Sequence, residues 1–119
     1  KWISWAGGIW TGIDESDVLR YAEARDKDDE KHICALQRGT LERCIKLYSN
    51  RGETILDPFG GIGTTGDQAI RFGRKAILIE LKESYYRIMT ENLKAAEREA
   101  KQVTLFDYAN VPMNEETSI

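Results

Sequence analysis

Two carboxylates and a run of glycines are the residues of this chain best placed to do chemistry. Asp57 ends the short β-prone run Thr54-Ile55-Leu56, Gly61-Ile62-Gly63-Thr64-Thr65-Gly66 follows, and Glu80 comes 19 residues after Gly61. The glycines have the G-x-G-x-x-G spacing of a loop that brings a nucleotide-bearing cofactor against the backbone. Glu80 has the spacing of the acid that accepts ribose hydroxyls in such sites. A strand that turns sharply into a helix needs positive φ and room for a ligand, and glycine supplies both. The helix expected from Thr64 presents unpaired N–H groups, and the positive end of its dipole, to an anion.

The identity of that anion separates two cofactors. In a dinucleotide such as NAD it is a pyrophosphate. In S-adenosylmethionine it is the methionine carboxylate, to which the Thr64 and Thr65 hydroxyls add donors. A carboxylate at the strand tip, Asp57, repels a pyrophosphate but suits a ligand carrying an ammonium and a sulfonium. Glu80 serves the ribose of either. The bland alternative is that Asp57 caps a turn, the glycines permit packing and Glu80 is a solvated strand end. The whole set in strand–loop–helix–strand order weighs against it.

The elements around the loop follow from apolar spacing. Leu41, Cys44, Ile45 and Tyr48 recur at 3, 4 and 7, one face of a helix over 40–48. Asn50-Arg51-Gly52 stops it. A strand over 54–56 closes at Asp57-Pro58, where proline offers no donor. Thr64 to Phe72 reads as a helix ended by Gly73. Lys75 to Glu80, "KAILIE", is a nearly continuous apolar strand of the kind that parallel sheets bury on both faces. A long helix runs from Glu83 to Gln102 with Tyr86, Met89, Leu93 and Ala96 on one stripe. Strand, loop, helix and strand make a right-handed βαβ unit, and the fold class is α/β, part of a Rossmann-like sheet. The domain reading is an irregular Trp-rich and charged segment over 1–31, a cofactor-binding core over 32–102 and a tail over 103–119. All three tryptophans fall in "KWISWAGGIWTGI", which must pack on something, and a short helical turn is expected near Asp17 to Arg25.

Composition bounds the function. A chain of 119 residues with 17 basic and 20 acidic side chains is one small domain without the clustered positive charge of a broad nucleic-acid face. Cys34 and Cys44, ten apart with one histidine in the chain, have no metal-ligand spacing and read as free thiols of a cytoplasmic protein. No apolar run reaches membrane-spanning length. The sequence opens on Lys1 with no initiator Met and is read as a piece of a longer polypeptide.

The stretch "ILDPFGGIGTTGDQAIRFGRKAILIEL" resembles the cofactor-binding motif of DNA amino-methyltransferases, which make N6-methyladenine or N4-methylcytosine. Their D-P-F-x-G-x-G-T-T signature is met by Asp57, Pro58, Phe59, Gly61, Gly63, Thr64 and Thr65. Upstream, His32 fits the family's leading histidine, and Glu42, Arg43 and Ile45 fit its Glu-Arg-x-Ile helix. Leu36 and Gln37 replace the family's Lys-Pro pair, a departure at a stretch that usually touches the cofactor. "VLRYAEARDKDDEKHI" is similar to versions carried by phages and mobile elements. The likeness spans roughly residues 14 to 100.

The resemblance implies an S-adenosylmethionine-dependent Rossmann-like methyltransferase that belongs to DNA methylation and restriction-modification chemistry. His32, Asp57, Pro58, Phe59, Gly61, Gly63, Thr64, Thr65 and Glu80 would bind the cofactor, with Phe59 as a wall. It also implies a catalytic Asn/Ser/Asp-Pro-Pro-Tyr/Phe tetrapeptide, and the two prolines here, Pro58 and Pro112, are not adjacent. The chain is then the C-terminal, cofactor-binding part of such an enzyme, inactive alone, with DNA and the flipped base held by a missing upstream part. The other readings are a non-catalytic cofactor-binding or regulatory module and an NAD-binding fragment. An open sheet edge implies self-association or pairing with the upstream half. "QVTLF", Gln102 to Phe106, resembles the short peptide by which bacterial proteins dock on the replication sliding clamp. The alternative is that Leu105 and Phe106 fold back on the sheet.

Overall fold

The computed structural model describes residues 2–20 and 35–109, with side chains through Gln102. The order is α1 (Trp2–Trp5), α2 (Arg38–Tyr48), β1 (Thr54–Asp57), α3 (Thr64–Arg71), β2 (Lys75–Leu78) and α4 (Glu83–Ala109). The two strands pair in parallel, in a register that sets Ile55 beside Ala76 and Asp57 beside Leu78. This is an α/β chain, and its β1–α3–β2 unit is the one the apolar spacing predicts.

Side-chain alternation gives the sheet two unlike faces. Ile55, Asp57, Ala76 and Leu78 are half-buried. Leu78 lies against Gly60 and Gly66, so this is the face that α3 covers. Leu56, Ile77 and Ile79 point the other way and are 63%, 56% and 50% exposed, and Leu81 just beyond is 97% exposed. "KAILIE" is therefore covered on one face rather than both, because no element among the described residues covers the other.

The core lies between the helices and that covered face. Ile62 and Ile88 are buried together, with Leu19, Ala35 and Tyr85 packed on them. Ile45, Ala69, Met89 and Ala96 are buried as well. Buried Asp67 on α3 accepts from Gln68 Nε2 at 2.7 Å and from Arg71 Nε at 3.0 Å, and Arg71 Nη1 reaches Glu99 on α4 at 2.7 Å. The hydrogen bond to Asp67 above all, and the one to Glu99, raise the Arg71 pKa, so the bridge between α3 and α4 stays charged. Arg74 plays a similar part at the end of α2: Nη2 donates to the Ser49 carbonyl at 2.6 Å and Nε to Ser49 Oγ at 3.0 Å.

The N-terminal tryptophans meet α2 through its cations. The Arg43 guanidinium sits 5.8 Å from the ring centroids of both Trp5 and Trp10, and Lys46 Nζ lies 5.6 Å from that of Trp5. Arg38 forms an ion pair with Asp17. Trp5 and Trp10 thus have a partner in this chain, while Trp2 stays exposed. The segment read as irregular includes the single turn of α1. Residues 17–20 are not helical, and the rest of the turn expected there, like His32 and Cys34, lies outside the described residues.

At the other end, α4 continues past Gln102 to Ala109. The backbone of Gln102 to Phe106 is helical, whereas an extended, groove-binding peptide would require those residues to unwind. Nothing in the sequence between Glu83 and Ala109 stops a helix: neither glycine nor proline occurs there.

Candidate cofactor site

The site is the turn between β1 and α3, and the sheet continues into it. Ile79 N–H donates to the Asp57 carbonyl at 3.0 Å and Gly60 N–H to the Ile79 carbonyl at 2.8 Å, holding the loop beside the tip of β2. Gly61 (φ 54°) and Gly63 (φ 92°) then take the left-handed conformations that reverse the chain into α3, with Gly63 as its N-cap. A Cβ at Gly61 would meet no atom within 4 Å, so the loop is open to a ligand there. Gly66 has another reason: its Cβ would fall 2.5 Å from Leu93 Cδ2 and 2.8 Å from Leu78 Cδ1, so a larger residue would have to push both leucine methyls aside for α3 to lie this close to β2 and α4.

Both acids are oriented by the loop itself. Asp57 Oδ1 accepts from Phe59 N–H at 2.9 Å, and Oδ2 accepts the Thr65 hydroxyl proton at 2.6 Å. Glu80 Oε2 accepts from Gly61 N–H at 2.8 Å and Oε1 from Lys82 N–H at 2.8 Å. Each carboxylate keeps lone pairs for a further donor. From α4, Asn92 Nδ2 donates to the Ile62 carbonyl at 2.8 Å and pins the middle of the loop.

A cavity of about 220 Å³ opens on this arrangement, lined by Ala35, Leu36, Asp57, Phe59, Gly60, Gly61, Ile62, Thr64, Thr65 and Tyr85. Asp57, Phe59, Gly61, Thr64 and Thr65 among the expected site residues therefore share one hollow. Phe59 is 88% exposed, at the rim rather than in the core. Gly63 is buried beneath the loop, Pro58 is exposed in its turn, and Glu80 stands outside the cavity wall, joined to it through Gly61 N–H. His32 lies outside the described residues. A larger hollow of about 670 Å³ is lined by α4 alone, from Glu83 to Lys94, and brings no second element to a ligand.

Three residues of the site carry no motif signature. Asn92 could have been noticed as an amide near Met89, Leu93 and Ala96 on the inner side of α4. Tyr85, read as a packing residue, does pack on Ile62 and also walls the cavity. Leu36 lines the cavity at the position where the expected Lys-Pro pair is replaced. Among the described residues, no group of acids, histidines and cysteines is arranged to hold a metal ion.

A parallel β–loop–α–β unit with a glycine turn, a carboxylate closing the first strand and another just past the second, defines an α/β protein. Comparison with known proteins narrows the class: the DNA methylase family, of the N6/N4 methyltransferase type, matches residues 2–91, and the chain belongs to it. It is 37% identical over 87 residues to the type II methyltransferase M2.DpnII of Streptococcus pneumoniae, covering 73% of this chain and 30% of that protein. It is 40% identical over 67 residues to the DNA adenine methyltransferase YhdJ of Escherichia coli K12, covering 56% of this chain and 23% of the relative. It is 33% identical over 95 residues to the type II methyltransferase M.BglI of Bacillus subtilis, covering 79% and 24%. The chain thus spans about a quarter to a third of these relatives. No solved structure matches it significantly. Membership of this family sets the dinucleotide reading aside.

Proposed function

We propose that this chain is the S-adenosylmethionine-binding portion of a DNA methyltransferase that modifies an exocyclic amino group, N6 of adenine or N4 of cytosine. The observation that carries the proposal is the Asp57 carboxylate, held by two donors on the wall of a cavity that also receives the N-terminus of α3. That combination offers an acceptor to an ammonium and backbone donors to a carboxylate, the two charges of an amino-acid end. The open space over Gly61 lets the remainder of the ligand lie on the loop toward Glu80.

In this reading Asp57 takes the amino group of the cofactor, directly or through water. The first turn of α3 and Thr64 take its carboxylate, Glu80 accepts from the ribose hydroxyls, and Phe59 walls the rim. When bound, the cofactor supplies an electrophilic methyl group on a sulfonium, which an amino nitrogen takes by direct displacement. The protein's part is then orientation rather than strong base catalysis. A Pro-Pro-aromatic tetrapeptide, absent from these residues, belongs in this proposal to another segment that also carries the DNA surface and the pocket for the base. The net charge of −3 suits that division. No helix among the described residues is long and apolar enough to cross a membrane.

The test is methyl transfer by the complete encoded protein. Labelled methyl groups should enter DNA and be recovered as N6-methyladenine or N4-methylcytosine after digestion to nucleosides. Recovery at a ring carbon would contradict the amino-group assignment. Cofactor binding without any transfer would favour a non-catalytic module.

A further inference from the structure

The Thr65 side chain is given to the cofactor carboxylate by its motif position, but its geometry points elsewhere. A threonine hydroxyl has a single proton to donate. Here that proton goes to Asp57 Oδ2 at 2.6 Å, a short bond to a charged acceptor. The other oxygen, Oδ1, is fixed by Phe59 N–H at 2.9 Å. The two donors come from opposite sides of the loop, Phe59 from the turn and Thr65 from the second residue of α3. Together they fix how the carboxylate presents itself to the cavity that Asp57 and Thr65 both line. A hydroxyl so engaged has lone pairs left but no proton for an anion.

We infer that Thr65 is a positioning residue: it aims Asp57 at the cofactor's ammonium and does not itself bind the cofactor's carboxylate. The carboxylate is then left to the backbone donors of α3 and to Thr64. The inference rests on the cofactor reading above, and three ligands that differ in one charged group at a time separate the two. S-adenosylhomocysteine carries both ammonium and carboxylate. Its decarboxylated analogue, 5′-(3-aminopropyl)thioadenosine, keeps only the ammonium. 5′-Methylthioadenosine has neither.

The experiment is calorimetric titration of the complete encoded protein with each ligand, in unmutated, Thr65→Val and Thr65→Ser forms. Valine keeps the shape and removes the proton, and serine keeps the proton. Thr65→Val should weaken S-adenosylhomocysteine and the aminopropyl analogue by the same factor, about tenfold, and leave 5′-methylthioadenosine within about twofold. Thr65→Ser should restore both losses. In an Asp57→Asn background, Thr65→Val should add little further loss. A loss confined to S-adenosylhomocysteine would show that Thr65 serves the carboxylate and would overturn the inference. An equal loss for all three ligands would also overturn it, reducing Thr65 to a loop brace. If the unmutated protein binds none of them, the cofactor reading itself fails, and the assignment of Thr65 with it.

Discussion

On one face of the sheet, Ala76 and Leu78 lie beneath α3, and the two carboxylates of the site, Asp57 and Glu80, are each held by two donors. On the other, Leu56, Ile77 and Ile79 stand half exposed or more, with Leu81 beside them. The same two strands, eight residues in all, supply both faces. The first has the close packing of a finished interior: a methyl group added at Gly66 would strike Leu93 and Leu78. The second is an apolar surface of the kind folded domains cover. The difference teaches that the cofactor loop and the helices behind it form a self-consistent unit, while the sheet that carries them asks for another layer. The short span of the chain against its relatives agrees with this.

The comparison can be sharpened by mutation, beginning on the packed side. Gly66→Val should lower stability by about 1–3 kcal/mol, because the Leu78 and Leu93 methyls must both shift to admit it. Urea unfolding measures it, and a change within experimental error would mean that α3 does not sit this tightly on β2. Asn92→Ala should lower stability by about 1 kcal/mol, since it leaves the Ile62 carbonyl without its donor. The same variant should loosen cofactor binding, readable in one titration.

On the bare side the expectation reverses. Ile77→Thr and Leu81→Ser should each shift unfolding by no more than about 0.5 kcal/mol in the isolated 119-residue chain. Light scattering should show that chain self-associating and the double variant doing so less. A monodisperse monomer before mutation would mean that the face is covered in some other way. The smallest effect belongs to the turn before β1. There Glu53 accepts from Asn50 N–H at 2.7 Å and from Asn50 Nδ2 at 3.2 Å, and these bonds hold its carboxyl below the usual range. A lowered folded-state pKa stabilises above the unfolded pKa and loses that contribution as pH falls through the folded one. Glu53→Gln should therefore differ slightly from the unmutated chain at neutral pH and converge with it in acid. A gap that persists at low pH would show that the carboxylate charge is not what matters.

Much of this architecture was legible in the residues. The starts and stops of α2, β1, α3 and β2 fall within two residues of what Gly52, Pro58, Gly61 and Gly73 imply, because glycine and proline act locally. The helix expected over Glu83 to Gln102 runs on to Ala109. A docking-peptide pattern is not a stop signal, and α4 meets none before Ala109. "KAILIE" told what a complete sheet would bury, not what covers it here. The motif picked out Asp57, Phe59, Gly61, Thr64 and Thr65, which the fold brings to one cavity. Which atom each side chain serves was not, because the Thr65 proton and the Asn92 amide are committed by contacts 8 and 30 residues away in sequence. No spacing rule reports those.

The central claim is that the Asp57 loop holds the amino-acid end of S-adenosylmethionine. Its most direct test is titration of the complete encoded protein with S-adenosylhomocysteine and with NAD, in unmutated and Asp57→Ala forms. Truncating one partner of such a charge pair removes about 3 kcal/mol, roughly a hundredfold in affinity. The account predicts saturable binding of S-adenosylhomocysteine, none of NAD, and that loss on Asp57→Ala. Binding of NAD without S-adenosylhomocysteine, or an Asp57→Ala variant that binds as well as the unmutated protein, would contradict it.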